Sequence, residues 1–566
     1  MSIETGDIIS RIYGNFRGVD FRGEEINISR SPDSLNVWKD YKETESIRTR
    51  PGMKAKMNFD SKIYGIFFYK NMMLVHSGTT LYKVVDGVKS VLYSGLRAAE
   101  SNSFVYENVW YFMDGKQYLQ YDGTTIKEVE GYIPTTSIGR KPSGGGKIHE
   151  EVNMLSDYRI NTFLGDGESL EFYLDVTSID SDYPPFVTVD GVDQSYGDFF
   201  SVDYAKGIIK FDEPSHAPEA PDTDGQDNVV IKFKKTVPRY REIINNCRLV
   251  QVFDNRVFIS GNDEYPNMLW HCKLNDPTYF GDLSYYREGM DSAKIKGMVA
   301  GNNALWVFRE PSDANTNVFY HVPTIDTEYG KIYPSAHSSI NIGCVGKAIN
   351  FNDDIVFFSD RGMEGISGDI TTEQATAHRS SLVDSKMLSI SNYKNMLLEE
   401  WEGYLLVFID NKVFLADSRT AFTTEDHIEY EWFYWELEKN ITATRVHEGV
   451  LHIGTEDGGV YTLTDTESAV ESYWTTPKDK FKVPHKLKTT NKRGCVVEAT
   501  GDISVYAKTE DTDFELIGTY ENITDYFVSR IKRKKFKDIQ LKFHSNTRFS
   551  LETASLECFI GGYIKR

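Results

Sequence analysis

A strand–turn–strand unit recurs seven times along this sequence of 566 residues. Each copy joins two β-rich segments through a tight polar turn, and a glycine and a third β-rich segment often follow. The turns are centred on Asn71, Asn108, Asn255, Asn303, Asp353, Gly403 and Gly449. Successive turns lie 37, 147, 48, 50, 50 and 46 residues apart, so a single interval departs strongly from the common spacing.

A repeat of roughly 40–50 residues that contains four strands is typical of β-propeller blades. Asn, Asp and Gly tolerate the positive φ that tight hairpin turns require. We therefore predict an all-β fold, namely a β-propeller of about seven blades with an inserted small β domain and a C-terminal β-sandwich. The alternative is a large sandwich whose hairpins are evenly spaced. Only residues 32–41 and 371–388 show short helical patterns.

The long interval between the second and third turns contains an insertion. It opens with a glycine-rich linker at residues 139–147 and continues with six short strand patterns. Loops between repeats tolerate such insertions because little buried backbone is disturbed. The predicted organisation is an N-terminal arm and propeller entry at 1–60, propeller blades at 61–131, an inserted β-rich module at 132–236, further blades at 237–471 and a sandwich at 472–566.

The composition restricts the partners of the chain. Lys and Arg number 63 against 84 Asp and Glu, which gives a net charge of −21. This balance argues against a dedicated nucleic-acid binder and against a surface for anionic lipid. The five cysteines form no CxxC pair, so we expect reduced, mostly buried thiols. We find no secretory signal pattern and no apolar run long enough for a membrane segment.

The sequence carries no recognisable catalytic signature. The glycines before Lys147 resemble a phosphate-binding loop, but the required spacing and the following Ser or Thr are missing. His447 and His452 are one residue too far apart for a zinc-protease helix and lie on a predicted hairpin. We therefore expect no enzyme activity, no catalytic residue, no metal site and no cofactor.

Two groups of basic residues are candidate assembly contacts. One group is a run of basic residues near the C-terminus. The other lies near the N-terminus, where the arginines either form an assembly arm or cap the propeller. The C-terminal run either binds an acidic partner or nucleic acid, or is a solvated strand edge whose lysines block unwanted pairing. The candidates are Arg48, Arg50, Arg530, Lys532, Arg533, Lys534 and Lys535.

The inserted module contains three closely spaced aromatic residues, Tyr196, Phe199 and Phe200. They are candidates for an aromatic platform that binds a sugar. The alternative, which we favour, is that their side chains alternate into the small core of the module.

Three stretches resemble tail proteins of tailed bacteriophages. The first combines residues 18–23 (GVDFRG) with residues 32–38 (PDSLNVW) and residues 47–53 (IRTRPGM). The second combines residues 256–262 (RVFISGN) with Pro266, Asn267 and Trp270 and with residues 275–280 (NDPTYF). The third combines residues 551–557 (LETASLE) with the C-terminal residues 561–566 (GGYIKR). The chain is similar in this respect to tail nozzle or tail accessory (stabilisation) proteins, although the module at 132–236 departs from the pattern.

That resemblance implies a structural virion protein in a phage tail, assembled in the host cytoplasm. It implies a homo-oligomeric, hexameric ring that continues the DNA-ejection channel below the portal and adaptor and anchors other tail proteins, including fibres or spikes. DNA would pass through without specific binding, because an acidic lumen repels phosphates. The alternatives are a receptor- or glycan-binding tail or baseplate protein and, less in keeping with the sequence, a propeller glycoside hydrolase.

Overall fold

The structure is a computed structural model, and it describes residues 5–23, 26–40, 43–223, 225–327, 330–366, 375–423, 428–466, 470–510, 512–532 and 535–564. As predicted, these residues form an all-β chain. The helices among them are short: Pro214–His216, Tyr240–Asn245, Asp384–Met387 and Tyr393–Asn395. The chain divides into two compact units, Met1–Ala98 with Trp306–Phe319 and His337–Arg566, and Ala99–Leu305 with Tyr320–Ala336.

Seven four-stranded sheets follow one another along the described residues. The first sheet comprises Ile63–Tyr69, Met72–Ser77, Thr80–Val85 and Val88–Ser94. The second comprises Asn102–Tyr106, Val109–Met113, Tyr118–Tyr121 and Ile126–Glu128. The third comprises Leu249–Phe253, Arg256–Ser260, Met268–His271 and Tyr285–Arg287. The fourth comprises Ile295–Gly301, Ala304–Arg309, Val318–His321 and Ser335–His337.

The remaining three sheets follow the same pattern, and a two-stranded ribbon, Thr324–Asp326 with Gly330–Ile332, precedes them. The fifth sheet comprises Ala348–Phe351, Asp354–Ser359, Gly362–Ile366 and Thr376–His378. The sixth comprises Leu397–Trp401, Tyr404–Ile409, Lys412–Thr423 and Ile428–Glu436. The seventh comprises Ile441–His447, Val450–Thr455 and Gly459–Thr464, and its fourth strand is Gly52–Asn58 from the N-terminal region.

Each predicted turn joins the first two strands of its sheet through a two-residue loop. In six of the seven loops both residues have positive φ, as in Asn302 and Asn303 with values of 52° and 58°. Such loops are type I′ turns, whose twist matches that of the flanking strands, and Asn, Asp and Gly adopt them at low cost. The predicted series of seven strand–turn–strand repeats is therefore confirmed.

The inserted module is built from two sheets that enclose its own core. The core contains Phe163, Phe172, Phe211 and Ile231. The six-stranded sheet comprises, in pairing order, Lys147–Ile148, Thr135–Arg140, Tyr158–Phe163, Val229–Lys234, Phe186–Val189 and Val192–Gln194. The three-stranded sheet comprises Glu171–Tyr173, Ile208–Phe211 and Phe200–Asp203.

The C-terminal segment and the N-terminal strands share an eleven-stranded sheet. Its main path comprises Ser34–Leu35, Ser472–Thr475, Ile539–Ser545, Lys486–Thr509, Phe549–Tyr563, Glu43–Thr49 and Val37–Asp40. Ile8–Tyr13 pairs with Phe549–Tyr563, and three strands pair with Lys486–Thr509: Glu515–Ile523, Tyr526–Ser529 and Lys535–Phe536.

The helix predicted at residues 32–41 is wrong, because two short strands occupy this region. Asn36 lies between them with a φ of 56°, a left-handed conformation that interrupts a right-handed helix. Its backbone N–H donates to the carbonyl of Tyr434 instead. Of the second predicted helix, residues 371–374 lie outside the described residues, and the rest contains the helix Asp384–Met387.

His378 lies at the end of the fifth sheet between two carboxylates. Its Nδ1 is 3.0 Å from Glu364 Oε1, and its Nε2 is 2.5 Å from Asp384 Oδ2. Burial by itself would lower the pKa of His378, but the hydrogen bonds and charges of Asp384 and Glu364 raise it to about 10. The imidazolium therefore ties the last strand of this sheet to the helix that follows.

We predict that this ion cluster makes stability depend on pH. Because the folded pKa lies above the ordinary value of 6.5, the stabilisation is complete below pH 6.5 and is lost as the pH rises towards 10. Urea midpoints of the native protein and of a His378→Asn variant, measured across this range, should differ most at the low end and converge at the high end. A difference that does not change with pH would contradict this role.

Candidate interaction site

Arg50 precedes the N-terminal strand that completes the seventh sheet, and its side chain is 1% exposed. Its Nε donates to Asn36 Oδ1 at 2.9 Å, and its Nη1 donates to the carbonyl of Pro51 at 2.9 Å. Its Nη2 donates to the carbonyl of Glu436 at 2.9 Å and to Glu438 Oε1 at 2.8 Å. Arg50 therefore acts inside the chain, as a tie to the sixth sheet, rather than at a surface open to a partner.

Arg48 is nearer to solvent, with a quarter of its side chain exposed. It forms an ion pair with Asp40 on the neighbouring strand and lies 3.9 Å from a carboxylate oxygen of Asp465. Both arginines thus contribute to the packing of the N-terminal segment. An assembly contact at Arg48 stays a prediction.

The three aromatic residues of the inserted module separate into exposed and buried side chains. Tyr196 is 51% exposed and Phe199 is 39% exposed, and the ring of Phe199 lies 4.6 Å from that of His216. Phe200 is completely buried and packs against Phe211 in the core of the module. Phe200 is therefore a core residue and is not part of an exposed platform.

Charge is unevenly distributed along the sequence. Residues 472–566 carry 18 Lys and Arg against 12 Asp and Glu, a net charge of +6. All other residues together carry 45 against 72, a net charge of −27. The C-terminal segment is thus a basic region on a strongly acidic chain, and the structure shows where part of this charge gathers.

A cavity of about 1180 Å³ opens beside the C-terminal sheet. Five basic residues line it, and we call it the lysine cavity: Arg11, Lys478, Lys480, Lys482 and Lys508. It also has apolar lining, for example Ile28 and Phe514, and the ammonium of Lys508 lies 5.0 Å from the ring centroid of Phe514. The cavity therefore combines cationic groups with apolar surface.

The two acidic residues that line this cavity are engaged within the chain. Asp479 Oδ2 accepts hydrogen bonds from Arg11 Nε at 3.0 Å and from the hydroxyl of Tyr13 at 3.2 Å. Asp33 Oδ1 accepts from the hydroxyl of Tyr473 at 3.0 Å. Lys480 and Lys482 are exposed and make no ion pair with any described residue. Their charges are therefore available to a partner.

A strained turn presents these two lysines. The N–H of Val483 donates to the carbonyl of Lys480 at 3.0 Å, and the intervening Phe481 and Lys482 have φ values of 55° and 59°. A bulky residue such as Phe rarely adopts this conformation, which costs of order 1–3 kcal/mol. Burial of the Phe481 ring and a 2.6 Å bond from its N–H to Asp479 hold the turn. Strain of this kind is concentrated at functional sites.

The predicted basic run reaches the neighbouring surface. Arg530 and Lys532 line a second cavity of about 100 Å³, and Lys508 lines both cavities. Lys535 is exposed on a short strand, and Arg533 and Lys534 lie outside the described residues. The sequence interpretation missed the lysines at 478, 480 and 482, although their two-residue spacing is visible in the sequence.

Within the described residues, no group of three or more His, Cys, Asp or Glu is placed to hold a metal ion. All five cysteines are buried, as predicted, and none of them forms a disulfide bond within the described residues. Among the same residues, no helix has the length and apolar character needed to cross a membrane.

No family model matches the chain, and no curated protein matches it. Several solved structures are similar. The computationally designed Ika8 protein is 12% identical, with a TM-score of 0.32 over 73% of this chain and 99% of that one. BamB from Moraxella catarrhalis is 9% identical, with a TM-score of 0.34 over 77% and 94%. Hsv2 from Kluyveromyces lactis is 8% identical, with a TM-score of 0.32 over 74% and 94%. Scores this low say nothing about what the chain does.

We predict that Arg50→Ala lowers the free energy of unfolding by about 3–5 kcal/mol, because it leaves buried acceptors without their charged donor. Arg248→Ala, which breaks an ion pair between two partly exposed side chains, Arg248 and Asp263, is the control and should cost about 1 kcal/mol or less. Guanidinium chloride denaturation of both variants tests this difference. Equal losses would contradict the role assigned to Arg50, whose buried hydrogen bonds connect the N-terminal segment to the sixth sheet.

Proposed function

We propose that this chain is a structural protein of a bacteriophage tail and that it assembles into a homo-oligomeric ring. The observation that carries the proposal is the gathering of basic residues around the lysine cavity of an otherwise acidic chain. This arrangement suits a contact between protein subunits. The resemblance of the three sequence stretches to tail nozzle and tail accessory proteins supports the placement of this ring in a phage tail.

As part of this proposal, the seven four-stranded sheets are the blades of a seven-bladed β-propeller. Contacts between the first strands of different sheets support the assignment. In one unit, Ile441–His447 lies against both Leu397–Trp401 and Ile63–Tyr69. In the other, Leu249–Phe253 lies against both Asn102–Tyr106 and Ile295–Gly301. Adjacent first strands are expected where blades are arranged around a common axis. The N-terminal strand that completes the seventh sheet would then join the last blade to the first.

We also propose that the C-terminal segment folds as a β-sandwich. Its longest strand, Lys486–Thr509, has 24 residues and pairs with five other strands along its length. Register shifts interrupt its pairing with Phe549–Tyr563 at residues 490–495 and 498–499. Bulges of this kind bend strands, which allows one long strand to contribute to two layers.

A second copy of the chain is the partner that the charges favour. Outside residues 472–566 each copy has a net charge of −27, so its surface complements the lysines of a neighbour. A contact between two different surfaces of identical subunits is heterologous, and repetition produces a ring when the rotation closes. The proposed ring is hexameric and lies below the portal and adaptor, where it anchors other tail proteins and fibres or spikes. DNA passes along its acidic channel without specific binding.

The experiment is analytical ultracentrifugation of the purified full chain. The native protein should sediment as a closed oligomer that dissociates as salt is raised, because screening weakens exposed charge contacts. The double variant Lys480→Glu and Lys482→Glu should shift the equilibrium towards monomer by at least about tenfold.

The matched control is Lys141→Glu with Lys147→Glu, which introduces the same charge change at two exposed lysines of the inserted module. This control should remain oligomeric. A native protein that is monomeric at every concentration, or two variants with the same sedimentation, would contradict the proposed contact.

A further inference from the structure

A third cavity, of about 500 Å³, lies where the inserted module joins the third sheet. We call it the tyrosine cavity and define it by Tyr132, Glu150, Glu151, Lys273 and Tyr279, which line it. These residues come from distant parts of the sequence and are unrelated to the exposed aromatic residues Tyr196 and Phe199. The volume is within the range of small-ligand sites in proteins.

Two stacked tyrosines form the aromatic wall of this cavity. The ring centroids of Tyr132 and Tyr279 are 5.1 Å apart and the ring planes are inclined by 28°. Tyr279 is 6% exposed, whereas Tyr132 is 41% exposed. Tyr279 therefore supports Tyr132 from within, and a large part of the Tyr132 side chain is open to a ligand.

Asn153 holds the backbones of this wall together. It is 1% exposed, and its Nδ2 donates to the carbonyl of Tyr132 at 2.8 Å and to the carbonyl of Thr278 at 2.9 Å. Its Oδ1 accepts from the N–H of Phe280 at 3.0 Å. The aromatic surface is thus positioned before any ligand arrives, which reduces the entropy lost on binding.

The polar groups of the cavity are also held in place. Glu150 Oε2 accepts from the N–H of Thr135 at 2.6 Å, and its carboxylate accepts from the hydroxyl of Tyr132 at 3.3 Å. Lys273 Nζ donates to Glu151 Oε1 at 2.6 Å. Burial raises the pKa of Glu151, but the bonds from Lys273 and Ser284 lower it below its usual value. Glu151 therefore stays ionised and keeps Lys273 oriented.

The acidic and basic side chains that line the cavity together favour a neutral ligand. Glu150, Glu151 and Asp276 oppose an anion, whereas Arg256 and Lys273 oppose a cation. An apolar ligand would displace water from these charged groups and leave the rest of their hydrogen-bonding capacity unused, which is costly. A neutral ligand that has both hydroxyl groups and an apolar face fits all of them.

We propose that the tyrosine cavity binds a neutral saccharide. The apolar C–H face of a pyranose ring packs on the exposed face of Tyr132. Its hydroxyl groups donate to the carboxylate of Glu150 and accept from the ammonium of Lys273. This activity goes beyond the proposed ring, does not depend on the lysine cavity, and gives a tail protein a site for sugars on a host surface or on a neighbouring protein.

The experiment is saturation-transfer NMR and calorimetry on the full chain. The probes are maltotriose, triacetylchitotriose and trigalacturonic acid. At least one of the two neutral trisaccharides should bind, and the acidic one should bind more weakly because of the carboxylates. Tyr132→Ala should weaken binding by roughly tenfold, whereas Tyr132→Phe, which keeps the aromatic face, should change it by less than about threefold.

Two matched controls locate the site. Tyr183→Ala removes a tyrosine of the inserted module that is 54% exposed and lies outside the cavity, and Phe199→Ala removes an exposed member of the candidate aromatic platform. Both variants should bind as the native chain does. Absence of binding to both neutral probes, unchanged binding by Tyr132→Ala, or loss of binding in Phe199→Ala with retention in Tyr132→Ala would each overturn the proposal.

Discussion

The architecture depends on the pairing of Gly52–Asn58 with Gly459–Thr464, which joins residues some 400 positions apart in one sheet. Without the N-terminal strand, the seventh sheet would expose an unpaired edge. The four hydrogen bonds of the Arg50 guanidinium fix the chain just before this strand and attach it to the end of the sixth sheet. A buried guanidinium is stable only when its donors are satisfied, so this contact also selects one conformation of the N-terminal segment.

The local part of the fold could be predicted from the sequence. Turn residues with positive φ and β-rich flanks are encoded within a few positions, and all seven predicted turns lie between the first two strands of a sheet. The non-local part could not be predicted. Nothing near residue 36 in the sequence shows that its side chain meets Arg50 and the sixth sheet, and the helical pattern at residues 32–41 is consequently overruled by strand pairing.

The candidate sites, like the fold, depend partly on local sequence patterns and partly on contacts between distant residues. The basic run at residues 530–535 was visible as a charge pattern, but the lysine cavity depends on a turn whose left-handed Phe481 is maintained by tertiary packing. Burial of Phe200 beside two exposed aromatic residues follows from strand alternation, which sequence reasoning anticipated as one of two outcomes. The tyrosine cavity joins residues from position 132 to 279, and no local pattern indicates it.

We propose that this chain works as a multi-copy structural ring of a phage tail. Electron cryo-microscopy of the tailed particle that carries it is the most direct measurement. We expect density for several copies in a closed ring on the tail axis, with the lysine cavity of each copy against an acidic surface of its neighbour. A single peripheral copy, or a ring in which this cavity faces solvent, would contradict it.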